Sequence, residues 1–242
     1  MKEIALEVKD LYVSYNSMKT YSVKQNLFRL KKAQKDKIEA LKGVTFAIEK
    51  GKILGVVGRN GSGKSTLLKS IAGIFAPDSG TVDLKGNTIS LMSIGVGFNN
   101  ELSGRENIAL SGMLLGFSQE EIAEKTEKII EFSELGRFID MPVRTYSSGM
   151  HSKLAFSITA ILETDIMLVD EVLSVGDAKF KKKSFDKMKE LIMDENRTVI
   201  IVSHSMDTLR SMCDEILWIN DGDTVMYGPK DEVLEKYAEF MS

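Results

Sequence analysis

The sequence predicts an α/β protein. A mostly parallel sheet is covered by helices, with a β portion at the N-terminal end and a helical block inserted midway. Three observations lead there. Short apolar runs at Ile53–Val57, Ile166–Val169 and Thr198–Val202 are separated by helical stretches, which is how parallel strands buried on both faces read. Apolar residues recur at every second position in Ile4, Leu6 and Val8, and again in Val44, Phe46 and Ile48, as in half-buried strands. Residues 97–150 contain no comparable apolar run, and 105–115 and 119–132 read as helices.

In chain order, the two N-terminal strands flank a basic insert at 17–40, with Lys19, Lys24, Arg29, Lys31, Lys32, Lys35 and Lys37 around Val23, Leu27, Phe28 and Leu30. A solvated loop or helix is the plain reading; the alternative is a membrane-facing or partner-facing basic patch over 19–37. The strand Ile53–Val57 leads into a helix carrying Leu67, Leu68 and Ile71. After the helical block, 153–162 reads as a helix and 179–195 as a charged amphipathic one. Asp221-Gly222-Asp223 sits between two apolar runs as a hairpin turn does, and 230–240 closes the chain as a helix.

Composition narrows the classes. Of 242 residues, 43% are hydrophobic and 28% charged, which suits a globular chain with a sizeable core. The 32 Lys and Arg against 35 Asp and Glu leave a net charge of −3, so nothing in the overall field attracts a nucleic acid. Cys213 is the only cysteine, which excludes an internal disulfide and suggests a reducing compartment such as the cytosol. No apolar run approaches the ~20 residues of a spanning helix, and the first residues lack a signal-peptide pattern. If the protein serves a membrane process, another chain must do the spanning.

Gly58-Arg59-Asn60-Gly61-Ser62-Gly63-Lys64-Ser65-Thr66 has the spacing of a phosphate-binding loop. Glycines let backbone N–H groups close around phosphate oxygens, Lys64 supplies a point charge, and the Ser65 hydroxyl suits Mg²⁺. Its setting between an apolar strand and an amphipathic helix argues against an accidental glycine-rich turn. The strand Ile166–Val169 ends in Asp170-Glu171, and Thr198–Val202 runs into His204. Acids at a strand end are commonly only solvated, and a lone histidine is commonly structural. Here both fall at the strand rim where ligands of parallel sheets bind. Asp170 would hold Mg²⁺ through water, and Glu171 would polarise the water attacking a γ-phosphate.

Tyr146-Ser147-Ser148-Gly149-Met150 resembles the signature motif of ABC transporter nucleotide-binding subunits, usually Leu-Ser-Gly-Gly-Gln, and the likeness to that family covers nearly the whole chain. The resemblance implies a single ABC ATPase domain over 1–242. Within it, a RecA-like core with an antiparallel β portion takes 1–96 and 151–242, and a helical subdomain takes 97–150. It implies ATP and Mg²⁺ as ligands, a homodimer with Ser147, Ser148, Gly149 and Met150 reaching the partner's ATP, and transmembrane permease subunits. It also places the chain at the cytoplasmic face of the membrane. Asp177 matches the D-loop aspartate, His204 the switch histidine, and Tyr15 the adenine-stacking aromatic, with Tyr12 and Tyr21 as alternatives.

Departures from the usual pattern sharpen the subgroup. No glutamine lies between Gln34 and Gln119, leaving Asn99 or Asn100 to stand in for the Q-loop residue. The signature lacks a glycine and its glutamine, and Asp170-Glu171 is followed by Val172-Leu173-Ser174-Val175-Gly176-Asp177. These runs, with 97–108, are similar to exporters of teichoic acid, O-antigen and capsular polysaccharide. The alternatives are an ABC ATPase acting without a permease or on another substrate, and a phosphate-loop kinase, which has no use for the Ser147–Met150 segment.

Overall fold

The computed structural model describes residues 3–16, 37–92, 97–170 and 177–241. Glu171, the run from 172 to 176, Tyr21 and nearly all of the basic insert lie outside these. β1 (Ile4–Asn16), β2 (Lys37–Glu49), β3 (Ile53–Val57) and α1 (Lys64–Ile71) come first, followed by β4 (Ser79–Asp83) and β5 (Ile89–Leu91). The helices α2 (Gly104–Leu114), α3 (Gln119–Ser133) and α4 (Ser148–Leu162) form the middle. The chain then runs through β6 (Ile166–Val169), α5 (Ala178–Ile192), β7 (Thr198–Val202), α6 (Met206–Met212), β8 (Glu215–Asn220), β9 (Asp223–Pro229) and α7 (Lys230–Met241).

Two sheets result. An antiparallel one has the order β2-β1-β4, and a six-stranded one has the order β5-β6-β7-β3-β8-β9, parallel except for the β8–β9 hairpin. The central strands alternate between two cores. Leu54, Val56, Ile166, Leu168, Ile200 and Val202 pack with α1 and the antiparallel sheet. Met167, Val169, Val199 and Ile201 pack with α4 and α5 through Phe156, Phe180 and Leu191. Burial on both faces is why these strands read as unbroken apolar runs.

The helical layer has its own core of Ile108, Ile122, Ile129, Ile139, Leu154 and Ile158. Its first two helices begin with capping boxes, Ser103 with Glu106 and Ser118 with Glu121, which satisfy the otherwise unpaired first-turn N–H groups. α4 starts at Ser148, five residues before the predicted 153. Its first turn is polar and glycine-containing, so propensity hid it, while the Ser147 hydroxyl caps it by accepting from the Met150 N–H at 3.2 Å. Residue 150 therefore falls inside a helix that joins two cores: Phe156 and Ala160 face the sheet, and Leu154, Ile158 and Leu162 face the helical layer. Among the described residues no helix is long and apolar enough to cross a membrane.

Candidate functional site

The strand order brings the sequence motifs together. β6, β7 and β3 are parallel neighbours, with Val169 opposite Ile201 and Val56 opposite Val202. Their carboxyl ends share one rim, so Asp170, the Ser203-His204 turn and the loop from Gly58 must converge there. A cleft of about 330 Å³ opens at that rim, lined by Asn60, Gly61, Gly63, Lys64, Ser65, Thr66, Asp170 and His204. Tyr15, Ile38, Glu39 and Ala40 form its other wall.

Two glycines in the loop answer to close approach and backbone conformation. A Cβ on Gly58, at φ 154°, would run into the Ile219 carbonyl oxygen, and one on Gly63, at φ 108°, would lie 2.5 Å from the Ala40 carbonyl oxygen. Gly63 occupies the N-cap of α1 without any side-chain cap, so the first-turn N–H groups are left without a side-chain acceptor, an arrangement of the kind that suits an anion. Lys64, 7% exposed, donates from Nζ to the Gly58 and Arg59 carbonyls at 2.7 and 3.0 Å. Burial lowers the pKa of its ammonium from the ordinary lysine value, and the negative charge of Asp170 opposes that shift. The buried Ser62 hydroxyl has no hydrogen-bond partner among the described residues.

Tyr15 stands at the cleft edge, its hydroxyl 2.9 Å from Thr66 Oγ1 and its ring edge-on to Phe75 at 5.7 Å. Tyr12 does not line the cleft; its ring lies over Gly43. Sequence reading missed the wall formed by Ile38, Glu39 and Ala40, because β2 begins seven residues before its apolar alternation becomes visible at Val44.

Other predicted residues stand elsewhere. None of Ser147, Ser148, Gly149 and Met150 lines the cleft, and the two serines are exposed at the start of α4. Asp177 caps α5, accepting from the Lys179 and Phe180 N–H groups at 3.1 and 3.0 Å, and pairs with Lys153 Nζ at 2.6 Å. Neither Asn99 nor Asn100 lines the cleft. The Asn99 side chain accepts from the Glu101 N–H and the Asn100 carbonyl from the Arg144 N–H, both within the helical layer.

A profile of the ABC transporter family matches residues 41–174, which include the phosphate loop, the α4 start and Asp170. The chain is 45% identical over 205 residues to the O-antigen export system ATP-binding protein RfbB of Myxococcus xanthus, covering 85% of this chain and 47% of that protein. It is 47% identical over 202 residues to the teichoic acids export ATP-binding protein TagH of Lactococcus lactis, covering 84% of this chain and 43% of that protein. The chain thus spans about half the length of these relatives. Among solved structures, the dimeric post-hydrolysis state of an ATP-binding cassette bound to ADP and Pi superposes with a TM-score of 0.67 at 22% identity, covering 93% of this chain and 98% of that one. The strand rim, the uncapped helix start and the matched profile agree, and the chain belongs to the ABC transporter family.

Proposed function

We propose that this chain binds and hydrolyses ATP as the nucleotide-binding subunit of an exporter of a lipid-linked cell-surface polysaccharide. The observation that carries the reading is the convergence of the phosphate loop, Asp170 and His204 on one cleft, with the signature serines exposed outside it. An open helix start, a glycine cradle and a buried lysine whose Nζ donates to backbone carbonyls suit a polyphosphate. Mg²⁺ fits as well. Among the described residues no group of three or more His, Cys, Asp or Glu could cage a metal, and Mg²⁺ commonly takes one or two protein ligands, leaving the rest to phosphate and water. Ser65 and Asp170 would hold it, and it would neutralise charge developing on the phosphates.

Lys64 and the Gly58–Thr66 backbone bind the phosphates, Tyr15 stacks on the adenine, His204 holds the γ-phosphate, and Glu171 orients the attacking water. Ser147, Ser148, Gly149 and Met150 complete the site of a second copy, Asp177 serves as the D-loop aspartate, and Asn99 or Asn100 serves in place of the Q-loop glutamine. The relatives named for O-antigen and teichoic acid export support a separate permease as partner and a peripheral position at the cytoplasmic face of the membrane. The test is Glu171→Gln, expected to keep ATP binding while turnover falls by at least about 100-fold. Unchanged steady-state ATPase would remove Glu171 from the chemistry. Co-expression with a polytopic permease should raise ATPase activity, and a permease that never co-purifies or stimulates it would remove the transport reading.

A further inference from the structure

The phosphate loop is gripped from behind by the last part of the chain. The Gly222 N–H, in the β8–β9 turn, donates to the Ser62 carbonyl at 3.0 Å, and the Gly222 carbonyl accepts from the Lys42 N–H at 2.9 Å. The Ile219 carbonyl lies where a Gly58 side chain would start. On α7, Phe240 presents its ring to the Arg59 guanidinium, 4.4 Å from the ring centroid. Tyr237 is buried in the same cluster. Both rings pack on Trp218, Tyr237 edge-on at 5.5 Å and Phe240 tilted at 5.0 Å. Trp218 is opposite Val57 in the β3–β8 pairing, the last residue before the loop, and its Nε1 is buried without a hydrogen-bond partner among the described residues.

These contacts form a continuous path. Lys64 is held by the Arg59 carbonyl, the Arg59 guanidinium by Phe240, and Phe240 by Trp218. A phosphate that draws Lys64 away from the Arg59 carbonyl alters the restraint on Arg59 and therefore on the ring it covers. We propose that Phe240 is a positioning residue for the phosphate loop, acting through Arg59, and that nucleotide occupancy is transmitted along this path to Trp218. The inference rests on the ATP-binding reading above. By reciprocity, whatever shifts α7 also shifts nucleotide affinity.

Trp218 is the only tryptophan in the chain, so its emission reports on this cluster alone. The experiment titrates the full chain with ATP and Mg²⁺, following calorimetry and tryptophan emission in parallel. Emission should change saturably with the calorimetric Kd. Phe240→Leu should raise that Kd about two- to fivefold, the worth of a cation–π contact, and remove at least half of the emission change. Phe240→Tyr should restore both. Lys236→Gln breaks only the α7 pair with Glu232 and should behave as wild type. If a melting curve shows Phe240→Leu unfolded, Arg59→Met removes the same stack from the other side and should also lose the emission change. Calorimetric binding with silent tryptophan, or a folded Phe240→Leu with wild-type Kd and amplitude, overturns the inference and leaves the ATP site standing. No calorimetric binding in wild type overturns both.

Discussion

Asp177 shows how one side chain can serve two elements. It stands at the N-cap of α5, where its oxygen accepts two backbone N–H bonds, and it pairs with Lys153 from the start of α4. The Lys153 ammonium first and the Phe180 N–H next hold its carboxyl at about 2, below the ordinary 3.8. A lowered folded value means that ionised Asp177 favours the folded state above the unfolded value, and that this contribution disappears as pH falls toward about 2. Asp177→Asn should therefore melt below wild type at neutral pH, with the gap closing between about pH 5 and 2. A gap that stays constant across that range would show that the charge contributes nothing. Lys64 lies under opposite control, since burial works against its charge and only Asp170 works for it. Asp170 thus favours the charged form of Lys64 across the cleft.

Among the elements, α4 ties the molecule together. One face holds Leu154, Ile158 and Leu162 in the helical layer, and the other inserts Phe156 between Phe132 and Phe180 beneath the sheet. Phe156 is fully buried, so Phe156→Ala should cost about 3–5 kcal/mol in chemical denaturation, whereas Ser147→Ala, which removes only the cap, should cost about 0.5–2 kcal/mol. A reversed order would mean that the helix start, not its sheet-facing side, holds the layers together. Elements buried on both faces or marked by caps were legible in the sequence. The central strands, α2, α3 and the 221–223 turn all fall within a residue or two of their predicted positions. β4 and β5 were not legible, because β4 is almost wholly exposed and β5 has only three residues. Within the site, the rim residues followed from strand ends, but the β2 wall did not, since exposed Ile38 and Glu39 carry no periodic signal.

For the whole molecule, the geometry separates two sets of residues that the proposed chemistry needs together. The cleft residues lie at the ends of β3, β6 and β7, while Ser147 and Ser148 begin α4 on an exposed surface outside the cleft. A helix start carries partial positive charge and outward N–H groups, which suit a γ-phosphate presented by another copy. Two copies related by a two-fold axis would each bring a cleft to the other's α4, an isologous arrangement that closes after one pair. The association should then depend on nucleotide, because the triphosphate supplies the charge that both surfaces contact. Glu171→Gln, which stalls turnover, should move from monomer to dimer mass in light scattering when ATP is added, and should stay monomeric with ADP. Adding Ser148→Arg, a bulky side chain on that surface, should abolish the dimer while leaving calorimetric ATP binding to the monomer within about twofold. A dimer that forms equally without ATP, or that survives Ser148→Arg, would place the contact on some other face and leave the signature serines without their role.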